Sequence, residues 1–485
     1  MKIIIAYPLL SNQKGFPTLG QNRQFQYFKD PTYIYPLVPA IGATLLKNAG
    51  HEVIWLDCIA EGISHEKFAE IVKEKKPDLV AFETKTPVVK QHWKIIDELK
   101  RLTASGQRLT TVLFGDHVTA LPEESFQNSQ VDFVLTGGDY DFLLLNLCNY
   151  LNKSYELGPG IYYRDNGQIK NTGQFQLNHD LNSLPFIDRD LTKWRLYAYK
   201  NGNYKRTPGT YITSGRDCWW GKCSFCSWPQ LYPNFRVRTP ENVLNEIEVL
   251  VKEYNIREIM DDTGSFPVGE WLKSFCQGLI ERGLHKKIYM NCNMRFGALE
   301  CKDFSLMKQA NFRLILFGLE SANQKTLDRL NKGVKVENIV EDCRAAAGAG
   351  LFPHITVMFG YPWETYEEAR KTAELAKWLL KKGYAYTMQA TVVMPYPGSP
   401  LFKECQQKGW LRTLDWDEYD MKAPVIKSLI PDDKIMDLVQ DMYKFSFSPE
   451  FMFKKVCQIN GIGDLKYSLR SARKVMGHIF DFNRG

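Results

Sequence analysis

Three of the eleven cysteines of this 485-residue chain fall within nine residues, in the stretch Gly215-Arg216-Asp217-Cys218-Trp219-Trp220-Gly221-Lys222-Cys223-Ser224-Phe225-Cys226. Thiols this close on a glycine-containing loop can converge on one metal centre. A disulfide would use two and leave one over. Three thiolates suit a [4Fe-4S] cluster that keeps one iron free for a ligand from outside the protein. The alternative is a zinc knuckle completed by Cys292, Cys301 or a histidine, although no second Cys or His pair stands at finger spacing.

This loop resembles the cluster motif of radical S-adenosylmethionine (radical SAM) enzymes, C-x3-C-x2-C with an aromatic residue before the third cysteine, a place that Phe225 fills. The first spacing here is one residue longer. The resemblance implies that Cys218, Cys223 and Cys226 hold the cluster. It also implies that the open iron chelates the amino and carboxylate groups of S-adenosylmethionine, and that one electron then releases a 5'-deoxyadenosyl radical. A low-potential donor such as a flavodoxin or ferredoxin is implied as the electron source.

The segments around the loop alternate in a way that can position it. From Tyr211 onward, strand-like runs at Glu258 to Met260, Lys287 to Cys292, Arg313 to Phe317, His354 to Phe359 and Tyr386 to Val393 are separated by helical patterns. Thr239-Pro240-Glu241-Asn242 is a helix start, with Thr at the N-cap and Pro in the first turn. With the strand before the cysteines this makes six βα-like units. That number suits a partial (β/α)6 barrel of the TIM type, whose reactive groups sit at the carboxyl ends of its strands. Within the resemblance, Gly318-Leu319-Glu320-Ser321 matches the fourth strand end, placing Glu320 and Ser321 near the polar groups of S-adenosylmethionine. Asp261 and Asp262 stand at the second strand end, where a glycine-rich motif is absent. Met358-Phe359-Gly360-Tyr361-Pro362, with Gly360, matches the adenine wall of the fifth. Taken alone, the acids also read as helix caps or solvated loop residues.

Residues 1 to 150 show short β-rich runs between amphipathic helices, the pattern of a doubly wound, Rossmann-like parallel sheet. Ligands of such sheets bind at the carboxyl ends of the strands. Those ends carry Thr84-Lys85-Thr86-Pro87, Gly115-Asp116-His117 and Gly137-Gly138-Asp139. In order and spacing they resemble the cobalamin-binding domain that precedes many radical SAM enzymes, which implies cofactor contacts from Thr84, Lys85, Thr86, Gly115, Asp116, His117, Gly137 and Gly138. The cobalt-ligating D-x-H-x-x-G pattern is absent. For His117 a hydrogen bond to its own loop is the competing reading.

Residues 151–205, with little apolar periodicity, read as a linker with a small hairpin, residues 206–407 as the barrel, and residues 408–485 as a mainly helical C-terminal region. Its helix over Leu465 to Met476 carries Lys466, Arg470, Arg473 and Lys474. Such a face is solvated, covers the barrel mouth or holds an anionic substrate.

Composition narrows the classes further. Charged residues make up 24% and hydrophobic residues 44%, as in soluble globular proteins. The net charge of +7 is spread among acids and does not argue for nucleic acid. No run approaches the roughly 20 apolar residues of a membrane span. The other cysteines are isolated, as buried thiols of a reducing cytoplasm are.

Together these features predict a cytoplasmic, cobalamin-dependent radical SAM enzyme acting on a small molecule or peptide. Methyl transfer from methylcobalamin to a substrate carbon radical is the leading reaction. Cyclisation, rearrangement or hydrogen abstraction without cobalamin are the alternatives, and a non-catalytic corrinoid or iron-sulfur carrier is the alternative of another class.

Overall fold

The computed structural model describes residues 1–10, 14–18, 27–103, 108–153, 155–457, 459 and 461–481. Its first sheet is built from β1 (Lys2–Tyr7), β2 (Glu52–Asp57), β3 (Leu79–Glu83), β4 (Thr110–Phe114) and β5 (Phe133–Leu135), all parallel. A hairpin, β6 (Ile161–Asp165) and β7 (Gln168–Asn171), extends it antiparallel from β5. The order β2-β1-β3-β4-β5-β6-β7 places the switch point between β1 and β3. Ile3, Ile4, Ile5 and Ala6 of β1, an inner strand of this sheet, are wholly buried, which is why that run shows no polar alternation. The hairpin lies within the stretch that reads as a linker, and its strands continue this sheet.

Helices α1 (Leu37–Asn48), α2 (His65–Lys75), α3 (Val89–Thr103) and α4 (Tyr140–Leu151) connect and cover these strands. Their ends follow local chemistry. Ser64 caps α2 by accepting from the Lys67 amide at 3.2 Å. On α3, valine, isoleucine, tryptophan and leucine recur at helical spacing and are buried on one side.

The second sheet has β8 (Gly209–Ile212), β9 (Glu258–Asp261), β10 (Tyr289–Met294), β11 (Phe312–Glu320), β12 (Phe352–Phe359) and β13 (Thr387–Val392), parallel and in sequence order. Among the described residues its two edge strands, β8 and β13, do not pair, so the barrel is open along one seam. Thr239 caps α6 (Pro240–Tyr254), and Thr365 with Glu368 makes a capping box on α10 (Tyr366–Lys382). Between these come α5 (Trp228–Leu231), α7 (Glu270–Glu281), α8 (Cys301–Gln309) and α9 (Val336–Gly348).

Beyond α11 (Pro400–Gln407), the tail forms α12 (Asp432–Phe445), α13 (Pro449–Cys457) and α14 (Ile462–Asp481). The Tyr443 hydroxyl on α12 donates to the Ala390 carbonyl of edge strand β13 at 2.9 Å. Helix α14 packs on α12 and against Tyr27–Phe28 of the first domain, and so spans the open seam. Three of its basic residues are tied down there: Arg470 donates to the Tyr204 carbonyl, Lys474 donates to Thr32 Oγ1 at 2.6 Å, and Arg473 lies 4.0 Å from Asp30. No described helix is long and apolar enough to cross a membrane.

Candidate active site

The cysteine loop leaves β8 and is held on three sides. Thr263 Oγ1 accepts from the amides of Ser214 at 3.0 Å and Gly215 at 2.9 Å, fixing the exit from the strand. Trp219 Nε1 donates to the Phe266 carbonyl at 3.2 Å, and Trp220 Nε1 donates to the Asn331 carbonyl at 2.8 Å. The Ser224 amide donates to the Leu330 carbonyl at 2.9 Å, and its carbonyl accepts from Leu401 at 2.8 Å.

Cys218, Cys223 and Cys226 all line one cavity of about 440 Å3 at the carboxyl ends of the barrel strands, and none is in a disulfide. Among the described residues no three His, Cys, Asp or Glu side chains close on a single metal ion. Cys292 is buried on β10, outside the cavity wall, and Cys301 is exposed on α8. The donor set fits a multi-iron cluster, in which each thiolate binds its own iron, better than one tetrahedral zinc.

Around the thiols the wall is charged. Glu320 and Asp262 line the cavity, together with Arg295, Lys332 and Phe225. The Lys332 ammonium sits 2.9 Å from Glu320 Oε1 and 5.5 Å from the centre of the Phe225 ring. Burial works against its charge, but Glu320 and the Cys223 thiol outweigh that and raise its pKa. Burial raises the Cys223 thiol, while Lys332 draws it down. Arg295 stacks 3.9 Å from the centre of Trp220.

The remaining residues that the sequence pointed to in the barrel lie outside the cavity wall. Asp261 is wholly buried and turned into the β8–β9 junction, accepting from Ser214 Oγ at 2.5 Å and from the Thr263 amide at 3.0 Å. Ser321 donates to Glu364 at 2.7 Å beneath the β11 end. Gly360 adopts φ +97° and packs near Ile435.

The first-domain residues form a covered layer. Thr84, Lys85, Thr86 and His117 are buried. His117 bonds Thr86 Oγ1 at 3.1 Å and Glu124 at 2.9 Å, with the Trp416 ring 5.3 Å away. Lys85 lies 3.9 Å from Asp116 and 5.7 Å from the Trp228 ring. Gly115 lies so close to the Thr84 carbonyl that a Cβ would be 2.2 Å from its oxygen. At Gly138 a Cβ would stand 2.0 Å from the Tyr232 ring. Gly137 is covered by Phe175. None of these residues lines the cavity. The part of the first domain that does is the loop after β1, through Thr18, Phe28, Thr32 and Ile34, at the switch point where such sheets bind ligands. The loops after β3, β4 and β5 are, by contrast, covered by the chain's own side chains.

Sequence reasoning missed the link between the domains. Arg216 donates to Asp139 at 2.8 Å and to Asp141 at 2.5 Å, and Arg236 donates to Asp139 at 2.6 Å, all of them buried or nearly so. The paired acids and arginines lie 75 or more residues apart in the chain, so no local pattern announces them.

Sequence models of two families match this chain: the Radical SAM superfamily over residues 212–376 and the B12 binding domain over residues 31–142. The uncharacterized methyltransferase PH0819 of Pyrococcus horikoshii is 26% identical over 91% of this chain and 94% of its own length. The anaerobic magnesium-protoporphyrin IX monomethyl ester cyclase of Cereibacter sphaeroides is 27% identical over 84% of this chain and 66% of its own. The cobalamin-dependent S-adenosylmethionine radical enzyme OxsB shares the fold with a TM-score of 0.70 at 15% identity, over 98% of this chain and 71% of that one. With three cysteines at a barrel cavity and a doubly wound sheet ahead of them, the chain belongs to the radical SAM enzymes that carry an N-terminal B12-binding domain.

Proposed function

We propose that this chain is a cobalamin-dependent radical SAM methyltransferase, in which Cys218, Cys223 and Cys226 hold a [4Fe-4S] cluster. The observation that carries the reading is the convergence of these three thiols with Glu320, Asp262, Arg295 and Lys332 on one cavity that the switch-point loop of the B12-binding domain also borders. When bound, the cluster and S-adenosylmethionine supply the radical that takes a hydrogen atom from the substrate, and cobalamin supplies the methyl group.

The residues divide this work. S-adenosylmethionine is a cation with a zwitterionic tail, so it needs both signs of charge close together. Asp262 and Glu320 suit its cationic groups, and Arg295 and Lys332 suit its carboxylate. The Met-rich wall around Met260, Met358 and Met394 excludes water from the reacting carbon and adapts to its shape. An external low-potential electron donor and a small-molecule or peptide substrate complete the proposal.

The similarity to the protoporphyrin ester cyclase gives cyclisation as the second reading. The products of the reconstituted, reduced enzyme separate the two. Methyl transfer yields 5'-deoxyadenosine and also S-adenosylhomocysteine from remethylation of the corrinoid. We expect both, and neither from Cys223→Ala. 5'-Deoxyadenosine alone would favour cyclisation or simple hydrogen abstraction, and formation of neither would leave a carrier protein.

A further inference from the structure

The barrel cavity has two chemically different halves. Every charged residue of the barrel strands and cysteine loop that lines it, among those described, belongs to the carboxyl end: Asp217, Lys222, Asp262, Arg295, Glu320 and Lys332. The inner half is lined by His354, Thr356, Gln389, Tyr211 and Asn203 between Leu314, Leu316 and Met388. His354 pairs in register with Leu316 and Thr387, four residues below Met358 on β12. At strand rise that is about 13 Å below the cluster end.

The barrel-strand side chains that line the inner half are uncharged. Burial holds the His354 imidazole down at about 4, so it is neutral near pH 7. Its Nδ1 pairs with Thr387 Oγ1 at 2.9 Å, which leaves Nε2 for a ligand. The buried Tyr211 hydroxyl accepts from Asn201 at 3.0 Å and Asn203 at 3.3 Å, which leaves its own proton to donate. Beneath lies a pair that neutralises itself. Arg313 Nε donates to Glu258 at 2.9 Å, and Glu258 also accepts from Asn291 at 2.7 Å and from the amides of Lys205 and Arg206. On the seam side the chamber is bordered by Lys474 of α14, whose ammonium already donates to Thr32 and Pro31.

A charged group pushed into this end would lose its hydration and find at its border only Lys474, whose charge already faces Asp30 at 4.0 Å, so that burial costs several kcal/mol. A neutral acceptor on an apolar body would meet hydrogen bonds below and methionine and leucine around it. We propose that the inner half of the lumen is the substrate-recognition chamber and takes an uncharged carbonyl or amide group, bound by His354, Tyr211 and Gln389, with the reacting carbon held toward the cluster. This rests on the reading of the site as a radical SAM centre only for the direction in which the substrate points.

Four probes with one body test it: 2-naphthamide, 2-naphthoate, 2-naphthylmethylammonium and unsubstituted naphthalene, titrated calorimetrically into anaerobic, cluster-loaded enzyme at pH 7.5. We expect the amide to bind about tenfold or more tighter than either charged probe. His354→Phe and, separately, Gln389→Leu should each weaken the amide about fivefold and leave naphthalene binding unchanged, with folding checked by circular dichroism. Equal or tighter binding of a charged probe, insensitivity to both variants, or no binding of any probe would overturn the proposal. Amide-selective binding by an enzyme that forms no 5'-deoxyadenosine would keep the chamber and discard the radical reading. The reverse pair of results would do the opposite.

Discussion

Glu320 shows what single residues must do here. It ends β11 in the left-handed region, at φ +63°, an expensive backbone for a side chain with a Cβ. That geometry accompanies a carboxylate on the cavity wall against the buried Lys332 ammonium. Glu320→Gln leaves that ammonium without its counter-ion. We expect a loss of about 3 kcal/mol in denaturant unfolding, since breaking a buried pair costs more than the pair contributes. Asp57 makes a second prediction, away from the cluster. Burial raises its carboxyl from 3.8 to about 6, although Tyr197 donates to it at 2.6 Å. The folded state therefore holds this proton more tightly than the unfolded chain. Stability from this group is present below about pH 4 and is lost as pH rises to 6, by about 3 kcal/mol. The thermal midpoint of the wild type relative to Asp57→Asn should fall between pH 4 and pH 6 and level off above, and a flat difference would contradict the assignment. At this scale the sequence was legible where chemistry is local. The cysteines announce themselves by type and spacing, Phe225, Asp262 and Glu320 through the family resemblance, and all of them reach the cavity. Arg295 and Lys332 do not, because an isolated basic residue carries no pattern until the fold brings it beside the thiols.

Elements were legible where hydrophobic period and caps agree. The run from Leu465 to Met476 reads as a helix and lies within α14, and Thr239-Pro240 starts α6 as its cap chemistry requires. Strand β11 extends to Glu320, beyond the apolar run that marks it, because pairing with β12 continues through a register shift at Gly318. The hairpin β6–β7 is polar on its exposed side, so its membership of the first sheet is set by pairing with β5 and not by composition. The joint between the first domain and the cysteine loop is likewise tertiary. Asp139 and Asp141, at the start of α4, grip Arg216 two residues before Cys218. Asp139→Asn should leave Arg216 and Arg236 short of one counter-charge, cost about 3 kcal/mol and lower the iron retained after reconstitution. Full retention and unchanged unfolding would mean that the two domains fix the loop independently.

Over the whole molecule, the open barrel needs a closing wall, and α14 with the loop after β1 supplies it. The basic face that sequence alone left as surface, cover or anion site is turned inward in part, with Lys474 bonded across the seam to Thr32. Deleting residues 462–485 should uncover β13 and α12. We expect faster amide hydrogen exchange in Thr387–Val392 and Asp432–Phe445, while β1 to β5 keep their protection. Unchanged exchange there would mean that α14 does not close the seam in solution.

The account stands most directly on which cofactors the chain retains. Anaerobic reconstitution with iron, sulfide and hydroxocobalamin, followed by desalting, optical spectra and metal analysis, measures this in one preparation. It predicts about four irons and one corrinoid per chain, with the iron lost in Cys223→Ala and the corrinoid kept. Zinc in place of iron would contradict the radical mechanism, and a cluster without corrinoid would contradict methyl transfer from cobalamin.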